Sequence, residues 1–180
     1  QRQSTHGFSA IDDEQRIILF SGEVDEMSVA TAIAQLFRFS QINVSQPVYM
    51  IINSGGGNIH DMFALYDAMK FVTCPIVTIG LGKVMSAGVL LLAAGTNGNR
   101  KIGKHATLMT HQAWGDCSGD VFNQRNELKE TERLQALIEN LLAVESNQKF
   151  EVIHDLMNKG HDHYLTADDA IKLGLADTLL

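Results

Sequence analysis

The sequence predicts a single α/β domain built on a mostly parallel sheet, and three observations carry that reading. Short runs that are apolar almost without interruption, at 16–20, 48–52 and 76–80, have the character of strands covered on both faces. Each is followed by a segment with helical spacing or by an apolar helix, so strands and helices alternate. The 180 residues, 45% of them hydrophobic, suffice for one sizeable core, whereas two domains would each be unusually small.

Residues 1–15 are polar, interrupted by Gly7 and Ser9, and lack periodicity. They are expected to form a mobile arm, with Phe8 and Ile11 docking on a domain that occupies 16–180. Arg16-Ile17-Ile18-Leu19-Phe20 is the first strand, ended by Ser21-Gly22. From about Met27, Val29, Ile33, Leu36 and Phe37 recur at helical spacing. Gln46-Pro47 breaks that helix, and Val48 to Ile52 forms the second strand. The run Asn53-Ser54-Gly55-Gly56-Gly57-Asn58 then reads as a strand-to-helix turn before a helix marked by Ile59, Met62, Phe63, Tyr66 and Met69. Three consecutive glycines fit either a flexible turn or a backbone that another group must approach closely. A third strand, Pro75 to Gly80, delivers the chain to Gly82-Lys83-Val84-Met85-Ser86-Ala87-Gly88 and an apolar helix.

After the turn 95–99 the chain returns through Ile102 and Thr107-Leu108-Met109 to His111-Gln112-Ala113-Trp114. A long helix at 121–147 carries Leu128, Leu134, Leu137, Ile138, Leu141, Leu142 and Val144 among interleaved charges. It is too long to pack fully on so small a domain, so either it projects and mediates self-association, the preferred reading, or its second half folds back. Shorter helices follow at 149–157 and 166–173, the second capped by Thr166 with Asp168-Asp169 in its first turn. The loop between them, 158–164, concentrates ionisable side chains.

Composition removes several function classes. Fourteen Lys and Arg against 21 Asp and Glu give a net charge of −7 with no basic cluster, which argues against nucleic acid or anionic membranes as partners. The apolar run Ala87 to Ala94 is far short of the roughly 20 residues that cross a bilayer. The polar start Gln1-Arg2-Gln3-Ser4 has no signal-peptide character. Cys74 and Cys117 are too few for a disulfide framework and lack metal-ligand spacing, so two free thiols and a cytoplasmic setting are expected, with no metal.

Ser86 stands where a strand meets a buried helix, near unpaired N–H groups and the positive end of the helix dipole. That position suits an acyl-transfer nucleophile; it equally suits a plain N-cap. His111, at the end of an apolar strand, and an aspartate in the 158–164 loop would add a general base and the carboxylate that orients it. His6, His60, His105 and His154 read as ordinary polar positions. The order Ser, His, Asp differs from that of α/β-hydrolases, and Gly82 lies four positions before the serine rather than in a Gly-x-Ser-x-Gly elbow.

With these residues in view, the chain resembles the ClpP family, the proteolytic subunits of ATP-dependent Clp proteases, from about Arg16 to the C-terminus. Asn53-Ser54-Gly55-Gly56-Gly57 resembles that family's glycine motif, Gly82 to Gly88 its serine motif and Met109-Thr110-His111-Gln112 its histidine motif. Asp162-His163-Tyr164-Leu165-Thr166-Ala167 and Gly174-Leu175-Ala176-Asp177 resemble its aspartate and C-terminal motifs. The resemblance implies a crotonase-like α/β fold of repeated β-β-α and β-α units, with the 121–147 helix as a handle interlocking two stacked heptameric rings. It implies a serine endopeptidase that cleaves unfolded proteins and peptides inside the closed chamber, with Ser86, His111 and Asp162 as triad. Gly57 and Ala87 would supply the oxyanion-hole N–H groups, and Gly56, Asn58, Ile59, Gln112, Ala113 and Trp114 would line the extended substrate. No cofactor is implied, ATP being used only by a partner AAA+ unfoldase, for which Tyr49, Ile51 and Phe71 fall at docking positions.

The chain departs from the family pattern in places. Gly55 replaces a proline, Ala87 a methionine, and Gly160-His161 an acidic-Arg pair before the aspartate. The N-terminal region is also shorter. Two other readings remain at this stage: a non-catalytic ring subunit, and an acyl-CoA enzyme of the same fold, which fold alone would not distinguish.

Overall fold

The computed structural model describes residues 15–115 and 117–180. The expected docking of Phe8 and Ile11, and nearly all of the 1–15 arm, lie outside these. Seven strands and six helices follow one another as β1 (Ile17–Val24), α1 (Glu26–Ile42), β2 (Val48–Gly57), α2 (Ile59–Phe71), β3 (Ile76–Met85) and α3 (Ala87–Ala93), then β4 (Arg100–Ile102) and β5 (Thr107–Thr110), then α4 (Val121–Ser146), α5 (Phe150–Met157), β6 (His163–Leu165), α6 (Ala167–Lys172) and β7 (Thr178–Leu179). The sheet runs β1-β2-β3-β4-β7 in parallel. β3 forks: residues 78–80 pair with β4, and 83–85 pair with β5, which carries β6 antiparallel on its far side. This is the parallel α/β architecture that the alternation of apolar strands and helices implies.

The strands run further than their apolar runs. β2 continues through the glycines because Ser21 to Val24 of β1 keep pairing with Asn53 to Gly57 across a bulge at Gly22/Glu23. The expected turn at 53–58 is therefore strand to Gly57, and only Asn58 turns the chain, its side chain accepting from the N–H groups of His60 and Asp61. β3 likewise passes Gly80 to Met85, with Met85 opposite Met109 of β5. Glycine gives no strand signal of its own; the neighbouring strands hold it there.

The expectation that these strands are covered on both faces also needs correction. Val48, Met50 and Ile52 are buried, whereas Tyr49 on the alternate face is 37% exposed and Ile51 is half-buried. Leu19, opposite Ile51, is 45% exposed. Within one subunit this end of the sheet is covered on one face only.

Two buried arginines fix the ends of the sheet. Arg16 donates to the carbonyls of Phe39, Asn43, Gln46 and Pro47, tying the C-terminal end of α1 and the following turn to the start of β1. Arg100 pairs with Asp177 at 2.6 Å and donates to the Glu145 carbonyl, joining β4, α4 and the last turn before β7. Asp177 is drawn up by burial, but the Arg100 hydrogen bonds outweigh this and hold it below the usual carboxylate range.

α4 is one continuous helix, about 39 Å long at 1.5 Å per residue. Leu134, Ile138 and Leu142 bury against the domain, whereas residues 121–130 are exposed throughout. Val121, Phe122 and Leu128 are thus apolar side chains on a projecting segment. Cys74 is buried and Cys117 exposed, both as free thiols. Among the described residues no helix is long and apolar enough to cross a membrane.

Candidate active site

The site begins with the burial of α3. All seven of its residues are buried, and Leu90, Leu91 and Leu92 are fully enclosed. A helix apolar on every side is held by the core around it, so its first turn has a fixed position. Ser86 precedes that turn with φ 51° and ψ −120°, a conformation that costs a non-glycine residue on the order of 1–3 kcal/mol. Its side chain makes no capping hydrogen bond. The plain N-cap alternative fails on this point, because a capping serine adopts extended backbone and accepts from the first turn.

The hydroxyl faces histidine instead. His111 Nε2 lies 2.8 Å from Ser86 Oγ. The pairing follows from the fork in β3, since β5 is in register with residues 83–85 and the Ser86 N–H donates to the Met109 carbonyl at 2.8 Å. β5, beside the second half of β3, therefore delivers His111, the residue just past its end, to the serine.

The glycines are not equivalent. A Cβ on Gly56 would sit 2.6 Å from Ser86 Cβ and 3.1 Å from the Ala87 nitrogen, and one on Gly57 would sit 2.2 Å from the Val24 carbonyl oxygen. Gly55 has only Lys83 Nζ at 4.0 Å. The close-approach reading of this run thus applies at Gly56 towards the serine and at Gly57 towards β1, whereas Gly55 is unconstrained. Asn58 and Ile59 follow at the mouth of α2.

All of these open on one cleft of about 1110 Å³, whose lining includes Gly56, Gly57, Asn58, Ile59, Ser86, Ala87, His111, Gln112, Ala113, Trp114 and Asp162. Its inner wall is apolar, with Leu134, Ile138 and Leu142 from α4. Among the described residues, Asp162 makes no hydrogen bond to His111. A serine paired with an imidazole, backbone N–H groups at a helix start beside it, and a long cleft are the parts needed for acyl transfer.

A model of the family described as "Clp protease" matches residues 2–180. The chain belongs to the Clp protease family. It is similar to the "ATP-dependent Clp protease proteolytic subunit 1" of Borreliella burgdorferi, with 33% identity over 166 residues, 92% of this chain and 84% of that protein. Similarity to the "ATP-dependent Clp protease proteolytic subunit" of Borrelia garinii subsp. bavariensis is 32% over the same span. Membership of the Clp protease family accounts for the parallel α/β architecture and for a protease-subunit site of this general kind.

Within that frame, Tyr49 and Ile51 share the half-exposed face of β2, and Phe71 ends α2 at 78% exposure, edge-on to Phe37. Sequence reasoning missed a second polar cluster behind the cleft. Glu139 of α4 is 2% exposed and accepts from Gln135, Asn158 and His154. His154, read as an ordinary polar position, is raised above the usual histidine range by its hydrogen bond to Glu139. The only signal for this cluster was the four-residue step from Gln135 to Glu139, which is common on solvated helices.

Proposed function

We propose that this Clp-family subunit is a serine endopeptidase that cleaves unfolded chains and peptides through an acyl-enzyme. The observation that carries the reading is the 2.8 Å contact between Ser86 Oγ and His111 Nε2 at a strained strand-to-helix turn. His111 takes the hydroxyl proton as Ser86 attacks the scissile carbonyl, and returns it to the leaving amine. The N–H groups of Gly57 and Ala87 stabilise the oxyanion, and Asp162 closes on His111 to stabilise its imidazolium. Hydrogen bonds in substrate-free sites are often open and tighten with substrate bound. Extended substrate pairs with the backbone of Gly56, Asn58 and Ile59 on one side and of Gln112, Ala113 and Trp114 on the other.

The exposed half of α4 interlocks two heptameric rings, and a AAA+ unfoldase docks on Tyr49, Ile51 and Phe71, supplying substrate at the expense of ATP in the cytoplasm. Support for the assembly comes from Val121, Phe122 and Leu128, which are exposed apolar side chains among the described residues. Support for the docking face comes from the uncovered apolar side of β1 and β2.

The test is covalent labelling with a fluorophosphonate, read by mass spectrometry, beside hydrolysis of fluorogenic peptides. Wild type should label at Ser86, and Ser86→Ala should lose both label and turnover while keeping its fold. The open His111–Asp162 pair favours one alternative, a non-catalytic ring subunit; an unlabelled, inactive wild-type assembly would establish it.

A further inference from the structure

Behind the cleft, one buried carboxylate organises two separate chain segments. Glu139 Oε1 accepts from Gln135 Nε2 at 2.6 Å and from Asn158 Nδ2 at 2.7 Å, and its Oε2 faces His154 Nδ1 at 2.9 Å. Because an ionised carboxylate only accepts, both amides must turn their NH2 groups towards it. Their carbonyl oxygens are then aimed outward, and both find the segment that follows His111. Gln135 Oε1 accepts from the Ala113 N–H at 2.6 Å, and Asn158 Oδ1 accepts from Gln112 Nε2. Asn158 also donates to the His154 carbonyl at 2.7 Å, so it is anchored at the end of α5, where the chain leaves towards Asp162.

The consequence reaches both ends of the catalytic pair. Upstream, His111 is held by β5, which is fixed between β3 and β6. Downstream, no strand pairing follows among the described residues, and the tethers described on Gln112 and Ala113 both trace back to Glu139. The same carboxylate holds Asn158, four positions before Asp162. We infer that Glu139, acting through Gln135 and Asn158, is a positioning residue that sets the His111 segment against the loop carrying Asp162. The inference rests on the peptidase reading above. Glu139 touches neither substrate nor the reacting atoms. It fixes which way two amides point, and through them the placement of His111 and the backbone edge at 112–113.

Glu139→Met tests this at similar volume, because it removes the shared acceptor. A methionine offers no acceptor to Gln135 Nε2 or Asn158 Nδ2, so neither bridging amide is any longer held with its NH2 inward and its carbonyl towards Ala113 or Gln112. Gln135→Met removes the Ala113 tether and one donor to Glu139, keeps the His154 and Asn158 contacts, and guards against a variant that fails to fold. Two readouts are measured on the assembled protein. Hydrogen exchange at the Ala113 amide should accelerate in both variants. In peptide hydrolysis kcat should fall by about ten- to a hundred-fold, by more than any rise in KM from the loosened edge at 112–113, as expected when a catalytic group is misplaced. The rate of fluorophosphonate labelling at Ser86 should fall in parallel, while thermal unfolding and sedimentation of Gln135→Met stay close to wild type.

Wild-type kcat and labelling in both variants would overturn the inference, as would unchanged Ala113 exchange. Failure of the peptidase reading looks different, because wild type itself would then neither label nor cleave. Ala113 exchange would still report whether the carboxylate holds this segment.

Discussion

Gly56→Ala is the most discriminating substitution at this site. An added Cβ would stand 2.6 Å from Ser86 Cβ, 3.0 Å from the Met85 carbonyl oxygen and 3.1 Å from the Ala87 nitrogen. Carbon atoms in contact prefer about 3.5–4.0 Å, so Ser86 must move by roughly 1 Å. The Gly56 φ of +95° adds strain of about 1–2 kcal/mol for an L-residue, and overpacking adds about 1–3 kcal/mol. The protein should therefore lose about 2–4 kcal/mol of stability, the sheet around β2 absorbing part of the strain. A 1 Å misplacement of a reacting group costs on the order of 100-fold in rate, and here the methyl also crowds the Ala87 N–H. Fluorophosphonate labelling of Ser86 and peptide turnover should fall by about that factor or more, measured below the melting temperature of the variant. Gly55→Ala is the internal control, since its nearest neighbour is Lys83 Nζ at 4.0 Å and its φ is not positive. It should label like wild type. Labelling of Gly56→Ala within about three-fold of wild type would refute the close approach of β2 to the serine.

Three further outcomes are expected. Asp162→Asn should lower kcat by roughly 10⁴-fold if the carboxylate closes on His111 during turnover. Near-normal turnover would mean that the Ser86–His111 pair works without it. Phe122→Glu with Leu128→Glu should break up the assembly seen by sedimentation while leaving the monomer folded, because both side chains lie on the exposed half of α4. Leu141→Glu should instead unfold the protein, since that residue packs on the core; an intact large assembly in the double variant would remove α4 as the assembly element. The last outcome concerns pH. Glu139 is pushed up by burial, but hydrogen bonds from His154, Gln135 and Asn158 hold it below its ordinary 4.5, while the bond to Glu139 raises His154 above 6.5. The His154 contribution to stability is therefore fully present below about 6.5 and lost as pH rises through its raised value; the Glu139 contribution is present above about 4.5 and lost as pH falls through its lowered value. His154→Gln should flatten the alkaline side of the melting temperature against pH, and an unchanged profile would show that the pair is not coupled to folding.

Much of this protein is legible from its sequence because the relevant signals are local. Apolar periodicity marks the helices, and Thr166 caps α6 as its side chain requires. The residues Ser86, His111 and Asp162 stand out by type and order before any contact is known. What tertiary structure alone decided is non-local. Asn53 to Gly57 form a strand because β1 lies beside them, and three glycines carry no propensity that would announce it. His111 reaches Ser86 because β3 forks and sets Met85 opposite Met109, a register that no spacing along the chain encodes. α4 shows helical periodicity, yet only packing separates Leu142, in the core, from Leu128, in solvent. Glu139 is the extreme case: on a helix rich in charge it reads as a solvated side chain, and its burial depends on Asn158 and His154 arriving from α5 to satisfy it. A carboxylate can be buried only where donors converge, and that convergence is a property of how the elements pack rather than of any one of them.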